Sequence, residues 1–208
     1  MPLTVSGTIW HGRMLPKPGL VLDWQVNALT SVLTGRLRAK VTLSGLDSDL
    51  TAQIAVRRDS ASLLSAEGTI GWPLVDVLMP GLTIGCNLTA RLRDLAIRDI
   101  PLHDLIHALP TATGSLQVAQ GTCARHDGKF GTVPVPDLTL TIAPKDGGTL
   151  GRVTTTAAPD TALTEAEITK DARILIKVYP EGAARVPGMP SSGITELEVP
   201  LAVVVQLP

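Results

Sequence analysis

The chain has 208 residues, 44% of them hydrophobic and 2% aromatic, with a formal net charge of −1. That apolar share offsets the entropy of ordering a domain and excludes a disordered chain. The near-neutral charge and the scarcity of stacking side chains exclude a nucleic-acid binder.

Residues 3–9 alternate Leu3, Val5, Gly7 and Ile9 with Thr4, Ser6 and Thr8, the period of a strand with one face toward a core. Trp10 breaks this alternation and is expected to be partly exposed, whereas Trp24 falls in phase with Leu20, Leu22 and Val26. Asn27 to Gly35 reads as a weak helical unit leading into a strand in which Leu37, Ala39, Val41 and Leu43 oppose Arg36, Arg38, Lys40 and Thr42. Leu50, Ala52, Ile54 and Val56 repeat the rhythm. Pro73 to Met79 opens with a proline suited to a first helical turn, and Ile84, Cys86, Leu88, Ala90 and Leu92 then read as one strand with Cys86 on the inward side.

Pro101 to Leu109 is a second proline-led helix and a copy of the Pro-Leu-x-Asp opening at residue 73. The implied unit is a short helix, a glycine and a strand, with units side by side in one curved sheet. Strands follow at Leu138–Ile142, Ile174–Val178 and Leu197–Leu207. His126-Asp127-Gly128-Lys129, Lys145-Asp146-Gly147-Gly148 and Pro180-Glu181-Gly182 supply tight turns, and the Pro, Gly and Ser of 186–193 an irregular loop. The fold expected is all-β and mainly antiparallel: a curved or partly closed multi-stranded sheet with two or three short helices at its edge, in one domain over residues 1–208.

Chemistry is scarce. His103 and His107 stand four apart at a spacing a metal bridges, but His11 and His126 are the only other histidines and the helix already has an apolar face, so they read as solvated side chains and not ligands. No nucleophile elbow, phosphate loop or dinucleotide fingerprint occurs. The reading is a non-enzyme with no catalytic residue, cofactor or metal. Arg36, Arg38 and Lys40, with Arg57 and Arg58 nearby, are the densest basic set; they read as a possible interaction face or as charges that keep the sheet soluble. Cys86 and Cys123 allow one pairing, a disulfide, or else two buried thiols.

Gly7-Thr8-Ile9-Trp10-His11-Gly12, Leu22-Asp23-Trp24, Leu33-Thr34-Gly35-Arg36-Leu37 and Leu43-Ser44-Gly45, with a later Leu109-Pro110 to Gly114-Ser115-Leu116, resemble the type II secretion system protein N family, itself distantly similar to AsmA-like proteins with an apolar concave sheet face. The resemblance implies a periplasmic domain of a protein anchored in the inner membrane. No signal-peptide pattern or apolar run of about 18 residues is present, so the anchor is expected to be missing from this sequence. The implied role is an accessory, non-catalytic part of the secretion apparatus, with other secretion proteins as partners. The alternative is a module binding lipid or acyl chains. The periplasmic address favours a bond between Cys86 and Cys123; because Cys123 has the opposite parity to Leu116 and Val118, pairing with an inward Cys86 calls for a bulge near Gly121.

Overall fold

A computed structural model of the chain describes residues 4–79, 82–102, 111–125, 131–146, 148–169, 173–185 and 192–200. The alternating segments become an antiparallel meander. It begins with β1 (Thr4–Gly7), β2 (His11–Lys17) and β3 (Leu20–Val26), continues through helix α1 (Ala28–Thr34) to β4 (Leu37–Gly45), and passes by hairpins into β5 (Ser48–Val56) and β6 (Ser60–Gly71). Helix α2 (Trp72–Leu78) and β7 (Ile84–Asn87) precede β8 (Thr89–Pro101) and β9 (Thr111–Val118); β10 (Gly121–Arg125) and β11 (Val133–Val135) precede β12 (Leu138–Lys145). The chain closes with β13 (Gly148–Thr155), β14 (Ala158–Ile168), β15 (Arg173–Val178), helix α3 (Pro180–Ala183) and β16 (Thr195–Pro200).

Among the described residues thirteen strands form one sheet in the order β1-β2-β3-β4-β5-β6-β8-β9-β12-β13-β14-β15-β16, open at both edges, while β11-β10-β7 form a second sheet. Nearest neighbours in the chain are neighbours in space, as hairpin connections require. Register shifts between β5 and β6, β6 and β8, β8 and β9, and β13 and β14 interrupt the ladders, and such bulges bend a sheet.

Local chemistry sets the reversals. Leu46 and Asp47 link β4 to β5 with φ of 52° and 56°, the doubly positive turn whose twist matches that of the strands it joins. Buried Ser48 then accepts the Gly71 N–H at 2.9 Å, tying this turn to the start of α2. In α1 the Asn27 side chain accepts the Thr30 N–H at 3.0 Å and Gly35 closes the helix at φ 60°. On the sheet, the Trp24 indole lies across Gly12, where any side chain would collide with it.

The registers place loop 8–10, α1, turn 57–59 and Leu102 at one end of the large sheet, and α2 and the small sheet at the other. Four sequence expectations change. The run from Ile84 to Leu92 is two strands in different sheets, because the chain leaves one ladder after Asn87 and joins another at Thr89. Cys86 therefore does not belong to the inward set of Ala90 and Leu92. The helix-glycine-strand unit is not repeated in one sheet, since α2 leads into the small sheet. Pro180-Glu181-Gly182 is the short helix α3, because the Ala183 and Ala184 amides bond back to the Tyr179 and Pro180 carbonyls at 2.8 and 2.9 Å. The helix expected after Pro101, the turn at 126–129 and most of loop 186–193 lie outside the described residues, as does the last strand beyond residue 200.

Candidate functional site

Cross-strand pairing turns alternation into two faces. One transverse row begins Val5, Met14, Leu22, Leu43 and Leu50, passes Gly68, Leu92, Leu116 and Leu140, and ends Val153, Thr164, Val178 and Thr195. Every strand of the large sheet contributes to it. The flanking row on the same face holds Trp24, Val41, Ala52 and Ala66 on one side of the molecule and Ile142, Gly151, Ala166, Ile176 and Leu197 on the other. Thirteen strands span about 55–60 Å at the usual inter-strand spacing.

This face has no second layer among the described residues. Substantial packing joins each strand to its ladder neighbours, with the three described helices and the small sheet at the ends. Leu22, Leu43, Leu50, Leu92, Leu116 and Leu140 are all half-buried. Among the described residues the only large side chain wholly removed from solvent is Leu74 of α2, and the other buried apolar residues are Leu20, Leu163 and alanines. A compact monomer of 21.8 kDa exposes about 9,300 Å², whereas this chain exposes 13000 Å².

The opposite face is polar and partly self-neutralised. Arg13 donates to Asp23 at 2.7 Å across β2 and β3, Lys145 lies 2.8 Å from Glu167, Arg152 3.5 Å from Glu165 and Lys177 2.9 Å from Glu196, and Arg173 meets Glu198 across β15 and β16. The hydrogen bonds and charges of these partners raise the pKa values of Arg13, Lys145 and Lys177. The Tyr179 hydroxyl donates to Glu165 at 2.9 Å, and that bond, then burial, raises the phenol above its ordinary value.

Arg36, Arg38 and Lys40 sit near the α1 end of this polar side. Arg36 lies just outside β4, after the Gly35 cap; Arg38 is half-buried and Lys40 exposed on β4 itself. Arg57 and Arg58 occupy the β5–β6 turn. Among the described residues none of these five forms an ion pair, in contrast to the basic residues of β13 to β15. A groove of about 570 Å³ runs between α1 and strands β3 to β5, lined by Gln25, Asn27, Thr30, Arg38, Lys40 and Gln53.

Cys86 and Cys123 are joined in a disulfide. They face each other directly in the ladder of β7 and β10, so no bulge is needed at Gly121: the chain leaves the large sheet after Val118 and begins a fresh strand there. Among the described residues no cluster of His, Cys, Asp and Glu is arranged to hold a metal, and His103, His107 and His126 lie outside them. No described helix is long and apolar enough to cross a membrane. Sequence reasoning marked the basic set, but not the exposed apolar side chains of α1, Leu29, Val32 and Leu33, although their spacing within Asn27 to Gly35 was the available signal.

Comparison with protein-family models, with curated proteins and with solved structures finds no match for this chain.

Proposed function

We propose that the chain is a non-catalytic lipid-binding module whose large sheet carries acyl chains along its apolar face. The observation that supports this is the transverse row from Val5 to Thr195 with no layer over it among the described residues. Leucine and valine, with Met14 and Gly68, fill it as far as Val153, and threonine enters only in the last strands. Protein partners are usually gripped by aromatic and arginine anchors; this face is almost without both, and a featureless aliphatic strip suits a featureless aliphatic ligand. The chain's 2% aromatic content fits that reading. Native mass spectrometry of protein purified without detergent tests it. Bound phospholipid or fatty acid, displaced by a fluorescent fatty acid, is the expected result; no bound lipid and no uptake of the fluorescent probe overturns it.

A second reading is docking onto secretion machinery in the periplasm, from a protein held in the inner membrane. It is favoured by the motif resemblance and by one structural observation: β1 is an edge strand exposed at every residue, and a free edge is a template for another strand. In-cell crosslinking from Val5 tests it. Capture of a secretion component is the expected result, and its absence where known neighbours are captured counts against the reading.

A further inference from the structure

The α1 end of the sheet combines unpaired cations with projecting apolar side chains. In the groove between α1 and β3–β5, Arg38 Nε is shielded from solvent and has no hydrogen-bond partner. A shielded N–H without an acceptor is costly. Lys40 follows on the same face, and among the described residues no carboxylate lines the groove. The groove is chemically ready for an anion.

Immediately beside it, α1 presents Leu29, Val32 and Leu33 at 73%, 81% and 77% exposure, positions that share one helical face. Loop 8–10 adds Ile9 and Trp10, at 76% and 50%. The two segments are joined, since the Val26 N–H bonds the Trp10 carbonyl at 2.6 Å and Asn27 caps the helix. Arg57 and Arg58 stand in the next turn along, on the hairpin that pairs with Leu37. Exposed apolar clusters of this kind mark contact sites, and tryptophan and aliphatic side chains rimmed by arginine belong to the boundary between water and bilayer. Charge complementarity selects an anionic surface.

We propose that this end of the sheet docks on an anionic phospholipid bilayer. Leu29, Val32, Leu33, Ile9 and Trp10 enter the acyl layer, Arg38 and Lys40 take one lipid phosphate in the groove, and Arg57 and Arg58 lie against neighbouring headgroups. The docking deepens the acyl-chain reading by giving the open face a source of lipid.

The test is cosedimentation of the whole chain with vesicles of equal parts phosphatidylglycerol and phosphatidylcholine, against vesicles of phosphatidylcholine alone. Partition onto the anionic vesicles, weakened by salt, is expected. R38Q with K40Q lowers it about ten- to thirty-fold, and L29S with V32S and L33S abolishes it, while circular dichroism and the disulfide are unchanged. Exposed Lys40→Gln alone carries the test if Arg38→Gln disturbs folding. Absence of sedimentation, equal binding to both vesicles, or variants that partition like the parent overturns the proposal. So does binding of inorganic phosphate by a protein that ignores vesicles. The outcome is separable from that of the apolar face, because a fatty acid supplied free in solution reaches that face without docking, so its uptake, read by native mass spectrometry, is expected to survive R38Q with K40Q.

Discussion

Strands β4 and β5 pair along nine residues, from Leu37 opposite Val56 to Gly45 opposite Ser48, whereas β7 and β10 of the small sheet pair along four and β10 and β11 along three. The large sheet is held by long ladders repeated hairpin after hairpin. Its small neighbour has too few pairs to order itself, and a covalent bond between two excursions from the meander, 37 residues apart in sequence, stands in for them. The difference teaches that, among the described residues, ladder pairing does more than a buried core, which is limited to Leu20, Leu74, Leu163 and alanines. Local pairing stabilises one sheet and a staple the other.

The strongest way to sharpen this contrast is to remove the staple. Replacing Cys86 and Cys123 together by serine removes a loop constraint that contributes about 3–4 kcal/mol. Hydrogen exchange is expected to accelerate in β7, β10 and β11 while β3 to β6 keep their protection; uniform acceleration would contradict the division. Next comes Leu74→Ala, at the one large side chain wholly out of solvent among the described residues. It is expected to cost about 2–3 kcal/mol in denaturant unfolding.

Polar substitutions on the open face probe the opposite regime. Leu92→Asn with Leu116→Asn is expected to cost about 1 kcal/mol per site or less, because both positions are already half-exposed, and yet to remove acyl-chain uptake. A core-sized loss of stability at these two leucines would instead reveal a covering layer. The smallest effect is at Tyr179, the only tyrosine of the chain. Its hydrogen bond to Glu165, followed by burial, raises its pKa above 10.0, so its contribution is complete below the unfolded value and is lost as pH rises through the folded one. A tyrosinate absorbance titration is expected to have its midpoint above 10.0 in the parent and to fall back in Glu165→Gln.

The strands legible in the sequence are those whose alternation is uninterrupted. Leu20 to Val26, Leu37 to Leu43 and Leu50 to Val56 each keep one parity throughout. β6 is nearly silent to such a reading, because serine, alanine and glycine occupy much of it and a register shift near Leu63 moves the apolar residues to the other parity. β8 continues past Leu92 only by way of Asp94, whose φ of 50° resets the alternation before Leu95. The split at Leu88 is invisible for the opposite reason: Cys86 and Ala90 keep phase across a point where the chain changes sheets. Arg38 and Lys40 were marked by their density in the sequence; the groove they line was not, because it exists only once α1 folds beside β3 to β5. Openness of the face was equally hidden, since period-two alternation is the same whether a second layer covers the strands or none does.

Successive residues of β9 give the most direct test, because Leu116 belongs to the apolar row and Gln117 to the polar one. A photoreactive residue at each position, irradiated in the presence of a labelled fatty acid, is predicted to capture the label at 116 and not at 117. Equal labelling at both positions, or capture at 116 of a second copy of the chain in place of the fatty acid, would contradict the account.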